Sequence, residues 1–374
     1  MKRVTGLDGV RGIAILWVLS YHLYALVPKA PALTALPFLG RFADLGWIGV
    51  AIFFTLSGYL IIPMLAVQKG EPHFFARFWC RRAFRLGPLY ILLLLSFWLA
   101  SAAWPAGGVE HLRLFDPVIP FWSYWLFVQN LPMASHGLLG GEWLRVTWSL
   151  AVEVQFYVLA SVVVLVSPKE SLRRWLAGLT LASVGFRFLV VALNPGASTP
   201  LVVLLPSRLD AFLVGGLVAL WFPARPETAS RRRQAAAGAV VLGSILGFAL
   251  FASGGFGAAT RWIVPVYHLL LAIGCAALLD LASSSSPLVN WLLQNRAVVR
   301  LGKLSYFIYL FHLPVMWTVC RGLFGIAPSL MSWREGGIML GVWAVLLALA
   351  EVSYRFVERP LIQHSHGYFE PVRK

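Results

Sequence analysis

Long apolar stretches alternate with short polar segments along almost the whole chain. Ten of these stretches, each of about 16 to 22 residues, are long enough to cross a bilayer as helices. The pattern predicts an all-α fold, a polytopic bundle of about ten transmembrane helices. The predicted spans are 12–27, 45–65, 84–104, 147–166, 175–194, 207–222, 235–252, 263–282, 303–322 and 336–356.

The apolar segment 120–133 differs from these spans because polar and helix-breaking residues interrupt it. It contains Pro120, Gln129, Asn130 and Pro132. It therefore predicts an interfacial or re-entrant piece rather than an eleventh span.

The composition excludes several classes of protein rather than adding a new prediction. Of the 374 residues, 59% are hydrophobic and 12% are charged, against about 25% charged in a soluble domain. The three cysteines stand at unrelated spacings, which excludes a disulfide framework and predicts no metal site. No segment between spans exceeds about 40 residues, so residues 1–374 are expected to form one membrane-embedded domain with no appended soluble domain.

The basic residues set the expected orientation. The formal net charge is +16, and the lysines and arginines form short clusters between spans, a pattern typical of membrane topology and contact with lipid rather than nucleic acid. Twenty-two of them fall on one side and 8 on the other, while Arg187 lies inside a span. The positive-inside rule then places both termini in the cytoplasm and predicts a multi-pass protein of the inner (cytoplasmic) membrane.

The opening helix carries Arg11 at the edge of the first span and His22 within it, eleven residues apart. In a regular α-helix this spacing is about 20° past three full turns, so both side chains point the same way about 16 Å apart. Histidine is well suited to remove a proton from a hydroxyl near neutral pH. The alternative is a histidine packed on a backbone carbonyl, with Arg11 as a topological anchor.

A basic cluster opens the third span, with Arg77, Arg81, Arg82 and Arg85 at helical spacings. Guanidinium groups match phosphate oxygens through paired hydrogen bonds. The cluster therefore predicts contact either with a diphosphate-bearing cofactor or with lipid headgroups.

The fourth span opens on Trp148 and carries a polar ridge of Ser149, Glu153 and Tyr157. A buried carboxylate requires a partner, and we expect a histidine or arginine from another helix. A structural ion pair would satisfy the same requirement. Arg208, Asp210 and His312 form a looser group, in which the first two do not share a helix face and are each expected to pair across helices.

Seven segments in this order resemble the acyltransferase-3 family of integral membrane O-acyltransferases. They are LDGVRGIAILWVLSYH (7–22), GVAIFFTLSGYLI (49–61), RRAFRLGPLY (81–90), WSLAVEVQFY (148–157), SRLDAFLVGG (207–216), LGKLSYFIYLFHLP (301–314) and VERP (357–360). The chain departs from many relatives at Val154, where they carry a second acid, and at Ala51, where they carry a polar residue.

The resemblance implies transfer of an acyl group, commonly acetyl from acetyl-CoA, onto a hydroxyl of a glycan such as an exopolysaccharide or lipopolysaccharide unit. No permanently bound cofactor is implied, since acyl-CoA is a substrate. The family motifs imply three groups of residues in this sequence: catalytic His22, Glu153 and Arg11; donor-binding Arg81, Arg82 and Arg85; and substrate or structural support from Trp148, Ser149, Tyr157, Arg208, Asp210 and His312.

In the mechanism that follows, His22, oriented by Glu153, removes the hydroxyl proton as the oxygen attacks the thioester. A covalent acyl-histidine or passage of the acyl group across the membrane is equally compatible. Two alternatives concern the function itself. One is acylation of a small glycosylated metabolite such as an antibiotic. The other is a transporter or flippase, although the two halves lack matching interrupted helices.

Overall fold

The computed structural model describes residues 4–34, 37–105, 108–196, 198–222, 231–252, 260–283 and 287–367. Within these ranges the chain is helical and contains no β-strand. Lys29 and Leu330 pair through a single isolated bridge. The prediction of an all-α fold is confirmed.

The α-helices of the described ranges are α1 (Thr5–Ser20), α2 (Pro31–Thr34), α3 (Pro37–Asp44), α4 (Ile48–Gln68), α5 (Phe74–Ala103), α6 (Val109–Phe115), α7 (Phe121–Trp125), α8 (Asn130–His136), α9 (Trp148–Val166), α10 (Leu172–Leu193), α11 (Ser198–Val203), α12 (Leu205–Trp221), α13 (Arg231–Ala252), α14 (Thr260–Ala282), α15 (Pro287–Leu293), α16 (Arg296–Trp317), α17 (Trp333–Ser353) and α18 (Arg359–Gly367).

Seven helical segments of the described chain are long and apolar enough to cross a membrane. They are Phe42–Gln68, Phe74–Ala103, Arg145–Val166, Leu172–Leu193, Ser198–Trp221, Trp262–Ala282 and Trp333–Ser365. The three other predicted spans coincide with α1, α13 and α16, so the count of ten and the orientation of the termini stay predictions. The coarser conclusion is that this is a helical protein with several membrane-spanning segments.

The apolar segment 120–133 is not one continuous helix. It contains α7 and the start of α8, and Phe127 between them has a left-handed backbone with φ 54°. The side chains of Gln129 and Asn130 are buried and donate to the carbonyls of Thr147 (2.9 Å) and Val203 (3.0 Å). The segment therefore forms no continuous helix long enough to cross a membrane, in accord with the predicted interruption, while the number of spans stays a prediction.

Helices α1 and α16 pack closely because glycines lie at their contact. A Cβ atom added to Gly12 would lie 2.0 Å from the carbonyl oxygen of Val298, and one added to Gly302 would lie 1.8 Å from that of Asp8. Small residues let helix backbones approach in membranes, where packing rather than water drives association. This contact brings together the helices that carry Arg11 and His312.

The helix of the first span is not regular to its end. After α1 the chain forms a π-helical turn over Tyr21–Ala25, and His22 lies within it. The prediction of a regular α-helix over 12–27, and with it the count of three full turns from Arg11, is therefore wrong beyond Ser20. A π-helical turn rotates the following side chains relative to an α-helix, and such turns are frequent at functional sites.

Candidate active site

Five helices enclose a polar pocket inside the bundle. It holds about 700 Å³ of empty space, part of it open to solvent, between α1, α4, α5, α9 and α16. Its wall combines apolar side chains with eight polar ones: Arg11, Ser57, Arg85, Ser149, Glu153, Ser305, Tyr306 and Tyr309. Four residues of the predicted site, Arg11, Arg85, Ser149 and Glu153, come from three distant parts of the sequence and share this pocket.

Glu153 is held by two hydroxyl groups. Its Oε1 atom accepts hydrogen bonds from Ser57 Oγ (2.6 Å) and Tyr157 OH (2.5 Å). Among the described residues no histidine or arginine lies within ion-pair distance of this carboxylate, and hydroxyl groups of α4 and α9 take the place of the expected partner. Tyr157 is buried and serves as the direct support of Glu153.

The three arginines predicted to bind the donor lie at different depths. Arg85 lines the pocket. The Arg82 guanidinium lies over the ring of Tyr157, 5.6 Å from its centroid, and thus behind Glu153. Arg81 is half-buried outside the pocket wall, and its Nε atom is buried without a hydrogen-bond partner. In the part of the chain that the structure describes, none of the three forms an ion pair with a carboxylate.

Arg11 reaches the same pocket from α1. Its Nη1 atom donates to Asp8, 2.9 Å away and one turn earlier on the helix, and Asp8 is buried. The ion pair fixes the guanidinium at the pocket wall and offsets its charge. Arg85, by contrast, brings a positive charge into the pocket without a carboxylate of the described residues within ion-pair distance.

His22 lies beyond the end of α1, in the π-helical turn Tyr21–Ala25, and does not belong to the described pocket lining. Its Nδ1 atom is 3.0 Å from the carbonyl oxygen of Val18, and its ring packs against that of His312, with centroids 4.8 Å apart. Glu153 forms no hydrogen bond with it among the described residues. The contacts of His22 are therefore a backbone carbonyl, the ring of the neighbouring Tyr21 and a second histidine, whereas its catalytic role stays a prediction.

A short hydrogen bond lies between the pocket and the two histidines. Ser149 Oγ and Tyr309 OH are 2.5 Å apart, and both hydroxyl groups also contact the carbonyl oxygen of Val146. The Tyr309 ring lies 6.2 Å from that of His312, one helical turn further on α16. Ser149 and Tyr309 thus form a link from the pocket wall to the histidine pair.

Trp148 and Arg208, two further predicted residues, lie outside the pocket lining and contact other side chains of the bundle. Trp148 is buried with its ring 6.1 Å from that of Phe54, and the Arg208 guanidinium lies 6.0 Å from the same tryptophan ring. The Nε atom of Arg208 donates to the carbonyl of Val202 (2.9 Å). Arg208 therefore pairs across helices, as expected, with a carbonyl of α11 and an aromatic ring of α9.

Asp210 also pairs with a residue of another helix, as expected. Its Oδ2 atom accepts from Arg187 Nη2 at 2.7 Å, and Arg187 is fully buried. The same guanidinium donates to the carbonyls of Ser207 (2.7 Å) and Pro265 (2.9 Å). This network joins α10, α12 and α14, and it places Asp210 in structural support outside the pocket lining.

Sequence reasoning missed Ser57, Tyr309 and the role of Arg187. Tyr309 had a usable signal, because it lies four residues after Ser305 and three before His312, on one helix face. Ser57 is a single hydroxyl in an apolar helix, which is common and indicates nothing by itself. Arg187 stood out as a charge inside a span, but the sequence does not identify its partner.

Similarity to known proteins extends over the part of the chain that forms the pocket. The acyltransferase domain family matches residues 4–350. The O-acetyltransferase OatA of Staphylococcus aureus strains NCTC 8325 / PS 47 and MRSA252 is 26% identical over 377 residues, which cover 96% of this chain and 57% of the relative. The chain thus spans a little over half the length of these curated relatives. No solved structure matches it. The family match over nearly the whole chain shows that this protein belongs to the acyltransferase-3 family.

Proposed function

We propose that this protein is an inner-membrane O-acyltransferase that moves an acetyl group from acetyl-CoA onto a hydroxyl of a glycan, such as an exopolysaccharide or lipopolysaccharide unit. The observation that carries the proposal is the meeting of Arg11, Arg85 and Glu153 in one pocket. The name of the relatives, O-acetyltransferase, supports acetyl as the group and oxygen as its acceptor.

The donor enters from the end of the pocket that holds Arg85. The phosphates of acetyl-CoA require cations, and guanidinium groups without carboxylate partners meet this requirement best. Arg85 is placed for direct contact, while Arg82 and Arg81 extend the positive surface along α5. The apolar part of the wall, including Phe53 and Leu310, suits the pantetheine arm and the thioester.

The acceptor approaches from the side of His22. Its hydroxyl oxygen attacks the thioester carbonyl, a carbon–oxygen bond forms and the carbon–sulfur bond breaks. The hydroxyl proton passes to His22 as general base and then to the sulfur of the departing coenzyme. Glu153, held by Ser57 and Tyr157, lines the space where the two substrates meet.

The test uses the full chain in proteoliposomes with radiolabelled acetyl-CoA and two acceptors, a lipopolysaccharide fraction and a set of small glycosides. We expect alkali-labile label in the glycan, dependent on the protein. Label in the small glycosides alone would replace the acceptor class by a glycosylated metabolite. Absence of ester formation together with protein-dependent movement of the glycan across the bilayer would overturn the proposal in favour of a flippase.

The His22→Ala protein serves as the negative control in these vesicles. His136→Ala is the matched control, because His136 is exposed at the end of α8 and is not among the residues that line the pocket.

A further inference from the structure

A second imidazole lies against His22. His312 on α16 is fully buried, and the two rings meet edge to face at an angle of 63° with centroids 4.8 Å apart. The residues are 290 positions apart in the sequence, and the close contact of α1 with α16 at Gly12 and Gly302 brings them together.

Backbone carbonyls fix which nitrogen of each ring carries the proton. His312 Nδ1 lies 2.8 Å from the carbonyl oxygen of Tyr309 and 3.1 Å from that of Ile308, and His22 Nδ1 lies 3.0 Å from that of Val18. A carbonyl oxygen only accepts, so each neutral ring is protonated at Nδ1. The basic nitrogen of both imidazoles is therefore Nε2.

The Nε2 atom of His312 is buried and has no hydrogen-bond partner in the described part of the chain. A nearby hydroxyl, that of Tyr309, is engaged with Ser149 and the Val146 carbonyl. Buried polar atoms without partners are rare in native proteins, and a catalytic role is one of the accepted reasons for them. The lone pair of this nitrogen can therefore accept a proton or a hydrogen bond, and no donor among the described residues occupies it.

A proton accepted by His22 needs a stabilising group in these apolar surroundings. Neither histidine has a carboxylate within ion-pair distance among the described residues. Glu153 is engaged with Ser57 and Tyr157. His312 is the basic group in direct contact with the His22 ring.

We propose that His312 is a positioning residue for His22, which it orients by ring contact and with which it shares the proton taken from the acceptor hydroxyl. This inference rests on the proposed function. As the acceptor O–H bond breaks, its proton enters the histidine pair, the oxygen bonds to the acyl carbon and the thiolate leaves. The proton then passes to the thiolate, so both rings end neutral and the coenzyme leaves as a thiol.

The experiment compares His312→Phe, which keeps an aromatic ring but has no nitrogen, with His312→Ala supplied with imidazole. Acetyl transfer from radiolabelled acetyl-CoA is measured per amount of folded full-length protein. For His312→Phe we expect kcat to fall by about 10²-fold or more, with KM for acetyl-CoA within about twofold of wild type. In His312→Ala, imidazole should restore the rate at least about tenfold, whereas pyrazole, which has the same shape but is weakly basic, should not.

His136→Phe is the matched control and should transfer acetyl at the wild-type rate. Wild-type kcat in His312→Phe, or no imidazole rescue in a folded His312→Ala protein, would overturn the inference and assign His312 to packing. If His312→Phe fails to fold, imidazole rescue of His312→Ala decides alone. Absence of acetyl transfer by the wild-type protein would overturn the proposed function together with this inference. The outcomes above, by contrast, would overturn the inference about His312 alone.

Discussion

Among the arginines of α5, Arg85 is the one that lines the pocket, and no carboxylate of the described residues lies within ion-pair distance of it. Arg82 is not part of the pocket lining, and its guanidinium lies over the ring of Tyr157. The two arginines therefore differ in their access to the pocket, although their helical spacing in the sequence does not distinguish them. Arg85 is therefore expected to dominate contact with the donor phosphates.

Arg85→Lys is expected to raise KM for acetyl-CoA about tenfold before kcat falls, because lysine keeps the charge but loses the planar pair of donors. Initial rates at varied acetyl-CoA concentration measure both constants. Arg174→Lys is the matched control, since Arg174 is exposed and outside the pocket lining. An unchanged KM in Arg85→Lys would favour the interpretation of the cluster as a lipid anchor.

His22→Ala is expected to reduce acetyl transfer by about 10² to 10⁴-fold, the usual contribution of a general base. Protein abundance should stay near normal, because the half-buried ring makes one hydrogen bond, to the Val18 carbonyl. Transfer rate and membrane abundance are measured on the same preparation. Wild-type transfer by an abundant His22→Ala protein would remove this histidine from the mechanism.

At the scale of elements, the pair of Arg187 and Asp210 fastens α10 to α12 inside the membrane region. Asp210→Ala should destabilise the protein by about 3 to 5 kcal/mol, because it leaves the fully buried Arg187 guanidinium without its counter-charge. Thermal unfolding in detergent measures the effect. The double variant Arg187→Met with Asp210→Leu should recover much of the loss, and equal stability of Asp210→Ala and wild type would contradict a structural ion pair.

The contact of α1 with α16 depends on glycine. Gly302→Ala should force the two helices apart and lower both stability and transfer, because its Cβ would lie 1.8 Å from a backbone oxygen that has no freedom to turn away. Gly341→Ala on α17 is the matched control, since no atom lies within 4 Å of its added Cβ. If both variants unfold at the wild-type temperature, close approach of these helices does not hold the site together.

At the scale of the whole molecule, the proposed mechanism with cytoplasmic acetyl-CoA as donor requires that the loop before α5 faces the cytoplasm. The distribution of basic residues, 22 against 8, predicts this side for residues 66–84 and the opposite side for residues 105–146. Pro72 and Val109 are exposed positions in these two segments.

Cysteines introduced at Pro72 and Val109, in a background without the three native cysteines, test this orientation. An impermeant thiol reagent applied to intact cells should label position 109 and leave position 72 unlabelled until the membrane is opened. Labelling of position 72 from outside would place the donor pocket on the wrong side and favour the transporter alternative.

The sequence by itself determined the long helices, the interruption of segment 120–133, and the motif residues that meet in the pocket. These features are local, since an apolar stretch must satisfy its own backbone as a helix in a membrane. Arg11, Arg85 and Glu153 were identifiable because ionisable residues within or at the edge of an apolar span are rare enough to stand out.

The tertiary structure alone decided the partners. Glu153 binds Ser57, which is 96 positions away, Asp210 binds Arg187, and His22 meets His312 across the glycine contact. Helices that are apolar on most faces carry little periodicity, so the sequence does not say which face meets which neighbour. The π-helical turn at His22 was hidden for a related reason, because packing at the helix end, rather than local propensity, selects it.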